Sequence, residues 1–386
     1  MKLTTRTTRP STFACKVRDA FAIPGGDKPR PYGVAILAAL FAAASATAAE
    51  SVTVVSWGGS YERACVEGYH KAFTAETGIE IKLEDYNGGL AEVRAQVDSG
   101  AVHWDVVDVE LADGVRGCDE GLFKVFDPAT LPPGADGSAP ADDYYPDAIT
   151  ECGANTLYYS TVYAYNAEKI PGEKPTTMQD FFDLERFPGR RGMRRSPVVN
   201  LEFALMGDGV PSEEVYALLD TEEGVERAFA KLDTIKDHVV WWEAGAQPPQ
   251  MLADGEVLMS TAYNGRIFNA QVLEEQPFVI VWDGQVLDTG FLAILEGAPN
   301  AEAAQRFVDF AARPSSMAGT ARYISYSPTR RSAEALISTH AETGVAMRPH
   351  MPNTPENAER ALHNDWEWWS DNRDDMNERF AAWLAR

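Results

Sequence analysis

The sequence predicts an α/β protein of two lobes joined by two long crossing strands. The chain has 386 residues, 45% of them hydrophobic and 24% charged, which is typical of a globular protein with enough core for two domains. Strand and helix patterns alternate over residues 51–110, and this βαβαβ order predicts parallel strands with right-handed crossovers. Two further strand patterns, at residues 157–165 and 288–295, are predicted to be the strands that cross from one lobe to the other.

The charge of the chain excludes one class of partner. Lysine and arginine number 34 against 58 aspartates and glutamates, so the net charge is -24. Such a surface repels phosphate backbones and anionic membrane faces. The composition therefore argues against nucleic acid as a partner.

The first 49 residues have the pattern of a secretory signal peptide. A basic segment precedes an apolar run at residues 33–42, and Ala46-Thr47-Ala48 provides a small-residue end. The run is shorter than the about 20 residues that a membrane span needs. An N-terminal anchor is the alternative, but the pattern favours export to the periplasm and a mature chain that begins near residue 50.

Export makes disulfides possible. Cys15 leaves with the signal peptide, so three cysteines remain and three single pairings are open. We favour Cys118 with Cys152, because both lie in turn-rich stretches while Cys65 falls on the inner face of a predicted helix. Three buried free thiols are the alternative.

Each element of the first lobe follows from a local pattern. A β-branched strand at residues 51–56 is followed by Ser60, which is predicted to cap a helix that closes at Thr77-Gly78. The next elements are a strand, a helix and a strand, at residues 79–83, 90–97 and 106–109. Ligands of open parallel sheets bind outside the carboxyl ends of the strands. Residues 57–61 and Glu110 are therefore predicted to lie beside a ligand.

The rest of the chain has the pattern of a second lobe and its connections. Residues 127–141 are rich in Pro, Gly and Asp and are predicted to form a surface loop. Predicted helices lie at residues 177–182, 215–232, 250–253, 300–311 and 376–384. Predicted strands lie at residues 157–165, 239–242, 257–263, 278–282 and 288–295.

Motifs that carry enzyme chemistry are absent from the sequence. It has no phosphate-binding G-x-x-x-x-G-K-[ST] loop, no H-E-x-x-H zinc motif and no G-x-S-x-G nucleophile turn. The six histidines have no metal-ligand spacing, so we predict no metal, no cofactor and no catalytic residue. Cys65 is a possible nucleophile, but a cysteine on a helix face is usually a packing residue.

Aromatic residues gather at or near the predicted strand ends, namely Trp57, Tyr61, Tyr158, Tyr159, Trp241, Trp242, Tyr263 and Tyr326. Aromatic walls with a few carboxylates form a box that can hold an alkylammonium by cation–π contact. For each of these residues alone, core packing is the alternative.

Short motifs occur in a characteristic order along the mature chain. In the first half they are Trp57-Gly58-Gly59, Glu76-Thr77-Gly78-Ile79, Trp104-Asp105-Val106-Val107 and Glu120-Gly121-Leu122. In the second half they are Phe187-Pro188-Gly189-Arg190, Asp254-Gly255-Glu256-Val257, Tyr263-Asn264-Gly265, Leu292-Ala293-Ile294, Phe307-Val308-Asp309-Phe310, Arg313-Pro314 and Tyr326-Ser327-Pro328-Thr329. In order and spacing this series resembles the bacterial periplasmic solute-binding proteins of the spermidine/putrescine-binding type (extracellular solute-binding protein family 1), the receptors of ABC importers.

The resemblance implies the type II periplasmic-binding-protein fold, in which two α/β lobes close over a ligand in the cleft between them. With the two crossing segments as predicted, lobe 1 comprises residues 50–161 plus 285–326, and lobe 2 comprises residues 162–284 plus 327–386. The resemblance also implies a monomeric receptor, not an enzyme, that delivers a small molecule to an inner-membrane ABC permease.

The resemblance carries some site residues over and leaves others in question. Trp57, Tyr263 and Tyr326 match aromatic positions of the family at or near the ligand. Where polyamine-binding members have carboxylates after the Phe-Pro-Gly motif, this chain has Arg194 and Arg195. Where they have a central Asp, it has Gly290, with Asp288 two residues earlier.

Three functions remain open from the sequence. The first is polyamine uptake, with aromatic walls and with Glu110 and Asp288 as partners of the ligand's ammonium groups. The second is the same receptor role for an opine, amino acid or phosphonate held by Arg195 or Arg266. The third is a thiaminase-like enzyme on the same fold that uses Cys65. The predicted ligand-binding residues are Trp57, Ser60, Tyr61, Glu110, Tyr158, Trp242, Tyr263, Asn264, Arg266, Asp288 and Tyr326.

Overall fold

The computed structural model describes residues 50–146 and 148–386. The predicted signal peptide, residues 1–49, lies outside the described residues. Among the described helices, none is both long enough and apolar enough to cross a membrane.

Eleven strands are described in these residues, and they form one mixed sheet. They are β1 (Ser51–Ser56), β2 (Glu80–Asp85), β3 (Val106–Glu110), β4 (Ile149–Thr150), β5 (Gly153–Asn166), β6 (Arg191–Arg194), β7 (Val239–Trp242), β8 (Met259–Tyr263), β9 (Phe278–Ile294), β10 (Ser327–Pro328) and β11 (Leu362–His363).

The described α-helices flank this sheet. They are α1 (Gly59–Cys65), α2 (Lys71–Thr77), α3 (Ala91–Ser99), α4 (Leu111–Asp119), α5 (Pro140–Asp143), α6 (Met178–Phe182), α7 (Asn200–Gly207), α8 (Val215–Leu219), α9 (Glu222–Asp233), α10 (Gln247–Asp254), α11 (Asn264–Leu273), α12 (Ala301–Ala311), α13 (Pro314–Thr320), α14 (Arg331–Glu334) and α15 (Trp366–Leu384). A π-helical turn, Val66–His70, joins α1 to α2.

The strand order is β2-β1-β3-β9-β5-β8-β6-β7, with the three short strands at its margins. Strand β1 pairs in parallel with both β2 and β3, which confirms the predicted βαβαβ unit. At the other end of the sheet β6 pairs in parallel with β7 and β8. Two groups of parallel strands therefore stand on either side of a central pair.

The central pair consists of the two crossing strands. Strands β5 and β9 run antiparallel from the Gly153–Ala293 pairing at one end to the Asn166–Phe278 pairing at the other. The end of β9 near Ile294 pairs with β3, whereas the end of β5 near Tyr165 pairs with β8. Both crossing segments are confirmed, although the sequence pattern divided β9 into two strands.

Two separate hydrophobic cores flank the first group of strands. Val52 and Val54 of β1 pack on one face with Phe73 and Phe307, and Val55 packs on the opposite face. Alternate residues of β1 thus point to two covered faces, as expected for a parallel sheet. The second group has its own core, in which Tyr163, Phe181, Phe203 and Trp369 are fully buried.

Two local predictions were wrong for identifiable reasons. Ser60 does not cap α1, because the helix begins at Gly59 with Gly58 as its N-cap, two residues earlier than predicted. The predicted helix at residues 215–232 is two helices, since Thr221 adopts an extended backbone and its side chain accepts a 3.1 Å hydrogen bond from the amide of Gly224. A capping threonine inside an apolar periodicity starts a new helix.

The disulfide prediction is confirmed. Cys118, in α4, is bonded to Cys152, which directly precedes β5. The third cysteine, Cys65, is a buried free thiol. The disulfide ties the helix that follows β3 to the start of the first crossing strand.

The lobe boundaries remain a proposal, which the contacts refine for one segment. Strand β10 pairs with the first half of β5, and Arg330 forms a buried 2.6 Å ion pair with Asp143. These partners precede residue 162, so we propose that residues 327–334 belong with lobe 1.

Candidate ligand-binding site

A cavity of about 350 Å³ lies where the carboxyl ends of β1 and β3 meet the crossing strands and the start of α11. Its lining residues are Trp57, Tyr61, Asp108, Glu110, Leu157, Tyr159, Tyr263, Arg266, Gly290 and Tyr326. The site is thus at the edge of the sheet that the parallel-strand rule selects. It combines residues from both proposed lobes with residues of both crossing strands.

Aromatic rings form much of the cavity wall. Tyr159 contacts Tyr263 edge to face, with ring centroids 5.5 Å apart, and lies 6.0 Å from the ring of Tyr326. Burial raises the pKa of each of these three phenols, so all three are neutral at physiological pH. Trp57, from the loop after β1, packs against Tyr86 at 5.0 Å. The wall is therefore apolar, with neutral hydroxyl groups.

Asp108 supplies a buried carboxyl group to the cavity. It lies in β3, is 3% exposed, and accepts a 2.6 Å hydrogen bond from the hydroxyl of Tyr61. Burial raises the pKa of Asp108 to about 7, against the lowering effect of hydrogen bonds from Tyr61 and Trp57. A buried carboxyl with this pKa is poised to ionise when a cation arrives.

Gly290 leaves room beside that carboxyl group. A Cβ atom at this position of β9 would lie 3.1 Å from Oδ1 of Asp108. Because glycine has no such atom, the cavity extends to Asp108. Polyamine-binding members of the resembled family have an Asp side chain at the position of Gly290.

Arg266 supplies the opposite charge. The first turn of α11 holds it 4% exposed, and its Nη2 and Nη1 donate hydrogen bonds of 2.8 and 3.1 Å to the carbonyl oxygens of Trp57 and Gly58. Its Nε is buried without a hydrogen-bond partner, and it pairs with no carboxylate in the described part of the chain. A buried guanidinium without an anion is costly, so this position calls for an anionic partner.

The glycine turn after β1 makes room for Arg266. Gly59 has a φ of +60°, in the left-handed region, and a Cβ atom there would lie 2.6 Å from Nη1 of Arg266. The left-handed backbone favours glycine here, and any larger residue would also displace the guanidinium from its present position.

Glu110 also lines the cavity, but its charge is already compensated. Its Oε1 accepts a 2.6 Å hydrogen bond from Arg194, and its Oε2 accepts bonds of 3.0 Å from Arg373. Burial tends to raise the pKa of Glu110, but the two guanidinium groups outweigh it and lower the pKa to about 2. Glu110 is thus an ionised carboxylate with both oxygens occupied.

Other residues singled out from the sequence lie elsewhere. Trp242 is 1% exposed and packs behind Tyr263, with ring centroids 5.7 Å apart. Asn264 accepts a hydrogen bond from the Ser160 amide at 3.0 Å and donates to the Ser325 carbonyl at 2.7 Å, so it ties β5 to a neighbouring loop. Ser60 is not among the lining residues.

Asp288 and Tyr158 line a different cavity, which includes residues 363–367 at the start of α15. Burial raises the pKa of Asp288 to about 7, and the nearby charge of Glu110 adds to the effect. Arg195, the other arginine considered from the sequence, is exposed and pairs with Glu243 at 3.2 Å.

Three lining residues that a strand pattern can identify, Asp108, Leu157 and Tyr159, were not among the predicted ligand-binding residues, although Tyr159 was one of the aromatic residues noted near strand ends. Asp108 precedes Glu110 by two residues in β3, so both side chains point to the same face. Tyr159 and Leu157 share a face of β5 for the same reason. Arg266 was selected because of its type and its place after a strand, and it does line the cavity.

Cys65 has the surroundings of a packing residue. It is 4% exposed, it lies in the hydrophobic core that contains Phe73 and Phe307, and it is absent from the cavity lining. Burial raises the pKa of its thiol, which disfavours the thiolate that a nucleophile needs.

This fold and cavity define a class of protein, and comparison with known families identifies it. Residues 68–353 match the family model for bacterial extracellular solute-binding proteins, and the chain belongs to this family. Its structural neighbours have the type II periplasmic-binding-protein fold with two lobes, which confirms the predicted fold class. The chain is thus the substrate-binding component of an ABC transporter.

Three similar proteins have names that state their ligands. The chain is 42% identical over 346 residues to the gamma-aminobutyric acid-binding protein of Pseudomonas aeruginosa, covering 90% of this chain and 94% of the relative. The periplasmic binding protein MotA of A. tumefaciens B6, in complex with glucopine, has a TM-score of 0.79 at 28% identity over 86% of this chain and 99% of its own. A GABA receptor structure has a TM-score of 0.73 at 26% identity over 87% of this chain and 98% of its own.

These relatives revise the sequence interpretation on one point. They support a solute-binding protein of an ABC importer, and such proteins are not enzymes. They do not support the narrower likeness to spermidine/putrescine-binding members, because the relatives are described with γ-aminobutyrate or an opine. The alternative of a zwitterionic or anionic solute is the better supported of the two hypotheses.

Proposed function

We propose that this protein is the periplasmic receptor for a short ω-amino acid, with γ-aminobutyrate as its reference ligand. In this proposal the ligand carries one ammonium and one carboxylate group. The relative at 42% identity is a gamma-aminobutyric acid-binding protein, and a structural neighbour is a GABA receptor. The chemistry of the cavity supports the same class of ligand independently.

The observation that carries the proposal is the pairing of opposite charges in one cavity. Asp108 and Arg266 both line it, and neither forms an ion pair within the described chain. An ammonium beside Asp108 and a carboxylate beside Arg266 would each compensate a buried charge. The aromatic rings of the same cavity offer an apolar wall to a short methylene chain.

A polyamine fits the same cavity less well. Each of its ammonium groups needs an anionic partner, but Glu110 is neutralised by two arginines and Asp288 lies outside the cavity lining. A second ammonium would instead face Arg266, and two like charges in a site of low dielectric repel strongly.

Capture then follows from the positions of the two charged groups. Asp108 belongs to β3 in lobe 1, and Arg266 belongs to α11 in lobe 2. A ligand bound to both favours the closed arrangement of the lobes over the open one, since only the closed form offers both contacts. In our proposal the closed form is the one that an inner-membrane permease receives, after export directed by residues 1–49.

A thermal-shift panel tests this proposal. We expect γ-aminobutyrate to raise the melting temperature in a concentration-dependent way, because binding to the folded state stabilises it. We expect 4-aminobutanamide and butanoate, which each lack one charge, to give much smaller shifts. Equal shifts from all three compounds would contradict a site built for a zwitterion.

A further inference from the structure

Helix α15 spans the two proposed lobes and is firmly attached to lobe 2. The indole Nε1 of Trp369 donates a 2.7 Å hydrogen bond to Glu202, and that of Trp383 donates one of 2.7 Å to Asp233. Near the end of the helix, Arg379 forms a 2.7 Å ion pair with Glu222. These three partners belong to α7 and α9.

Two further residues of α15, Arg373 and Asp374, contact lobe 1. Arg373 donates to Oε2 of Glu110 at 3.0 Å and to Oδ2 of Asp113 at 3.2 Å. Asp374 accepts a 2.8 Å hydrogen bond from Arg116. Arg373 is 11% exposed at its side chain, and both of its acidic partners are buried.

Glu110 connects Arg373 to the wall of the ligand cavity. The other oxygen of Glu110 accepts a hydrogen bond from Arg194 of β6, whose guanidinium lies 5.8 Å from the ring centroid of Trp57. Arg194 therefore holds Glu110 and Trp57 of lobe 1 from the lobe 2 side. Both arginines meet on a single carboxylate of β3.

We propose that Arg373 is a positioning residue for ligand capture. It acts through Glu110, and the α15 contact favours the closed arrangement in which Arg194 covers Trp57. This inference rests on the proposed function for its ligand, but its conformational part concerns the protein without ligand. Glu110 is then the anion of an inter-lobe cluster, not a contact of the ligand's ammonium group.

Physical reasons support a large effect. Because α15 is attached to lobe 2 and Glu110 lies in lobe 1, separating the lobes pulls buried opposite charges apart. The apparent Kd equals the intrinsic Kd divided by the fraction of molecules in the closed, binding-competent form. A weaker inter-lobe contact lowers that fraction and therefore raises the apparent Kd. Couplings of this kind typically change affinity about 5- to 150-fold.

The test compares R373Q with R379Q. Both substitutions remove one arginine of α15 from a carboxylate pair, but the ion-pair partners of Arg379 in the described residues, Glu222 and Asp375, are both on the lobe 2 side. Two readouts are needed: the Kd for γ-aminobutyrate by calorimetry, and the ligand-free distance between spin labels on exposed Lys82 and Glu226. The first depends on the ligand, and the second does not.

We expect R373Q to lengthen the ligand-free distance and to weaken binding at least about fivefold, whereas R379Q changes neither. In an E110Q background the further effect of R373Q on the Kd should fall below about twofold, because the two residues act together. R373K keeps the positive charge but not the paired hydrogen bonds of the guanidinium, so its Kd and label distance should be intermediate. This variant replaces R373Q in the test if R373Q does not fold.

An R373Q protein with the distance and Kd of R379Q would overturn the proposal. A wild-type protein that does not bind γ-aminobutyrate would refute the proposed function, but the label distance would still decide the role of Arg373.

Discussion

The hydroxyl of Tyr61 donates a 2.6 Å hydrogen bond to Oδ2 of Asp108 where α1 meets the end of β3. Both side chains are buried, at 5% and 3% exposure. The bond fixes one oxygen of the carboxyl group, while the other faces Gly290, where no side chain intervenes. The cavity thus contains an oriented carboxyl group without a cationic partner, which is the feature that an ammonium ligand requires.

Replacing this carboxyl group should weaken ligand binding. We expect D108N to raise the Kd for γ-aminobutyrate at least about tenfold, because the ammonium would be buried beside a neutral amide. D288N should stay within about threefold of wild type, since Asp288 lines the other cavity. Calorimetry on both variants separates the two hypotheses: a large effect of D288N with a small effect of D108N would favour the polyamine arrangement.

Binding should depend on pH through Asp108. Its pKa is raised to about 7 by burial, so the carboxyl group is mostly neutral below that pH. An ammonium binds the ionised form, and affinity should therefore fall, approaching tenfold per pH unit, as the pH drops below about 7. Above pH 7 the Kd should level off. D108N should abolish this dependence, and a wild-type Kd that is flat between pH 5 and 8 would contradict the role of Asp108.

The same pKa shift predicts a stability effect of opposite sign. Because the folded-state pKa of Asp108 is raised, folding favours its neutral form. Its stabilising contribution is complete at low pH and is lost as the pH rises toward about 7. Without ligand, D108N should therefore lose less stability than wild type between pH 4 and 7, as measured by denaturant unfolding.

Removing the guanidinium of Arg266 should remove the contribution of the ligand's carboxylate to binding. We expect R266Q to weaken γ-aminobutyrate binding at least about tenfold and to reduce the difference in Kd between γ-aminobutyrate and its neutral amide. R195Q is the matched control, because Arg195 is exposed and paired with Glu243. If R195Q were the more damaging variant, the carboxylate would have to be assigned to the other arginine.

The glycine turn offers a test of site geometry separate from charge. G59A should lower both stability and ligand affinity, because the new Cβ would lie 2.6 Å from Nη1 of Arg266. G121A provides the control, since Gly121 has a φ of +73° and no atom within 4 Å of a Cβ. Both variants carry the backbone cost of about 1–2 kcal/mol, but G121A should retain the wild-type Kd. Equal Kd values for the two variants would argue against a close fit at Gly59.

The disulfide should contribute to stability and not to binding. Replacing Cys118 and Cys152 by serine should lower the free energy of unfolding by about 2–4 kcal/mol, since the bond closes a long loop in the unfolded chain. C65S should leave the Kd for γ-aminobutyrate unchanged. Loss of binding in C65S, with folding intact, would reopen the question of a reactive thiol in this fold.

Much of the fold could be predicted because it depends on local patterns. The β-branched run of β1, the turn at Gly58–Gly59 and the alternation through β3 give the parallel unit, and the apolar residues of β5 give a crossing strand. The division at Thr221 was missed because the apolar periodicity continues through it. The continuous β9 was missed because Asp283 and Gly284 look like a turn.

The site was only partly predictable, because its key relationships join distant parts of the sequence. Glu110 was expected to bind an ammonium, since nothing in the local sequence indicates that Arg194 and Arg373 converge on it. Asp288 was expected in the cavity because it lies two residues before Gly290, yet it lines the other one. Local pattern therefore located the site at the strand ends, while tertiary packing decided which carboxylate carries an uncompensated charge.

The most direct test of the account is calorimetric titration of the wild-type protein at pH 7.5 with γ-aminobutyrate and, in parallel, with putrescine. Both compounds have four carbon atoms and one terminal ammonium group, but the other end is a carboxylate in γ-aminobutyrate and a second ammonium group in putrescine. We expect one-to-one binding of γ-aminobutyrate and at least about a hundredfold weaker binding of putrescine, because only the former compensates both Asp108 and Arg266. Binding of putrescine as tight as that of γ-aminobutyrate would contradict a site defined by these two opposite charges.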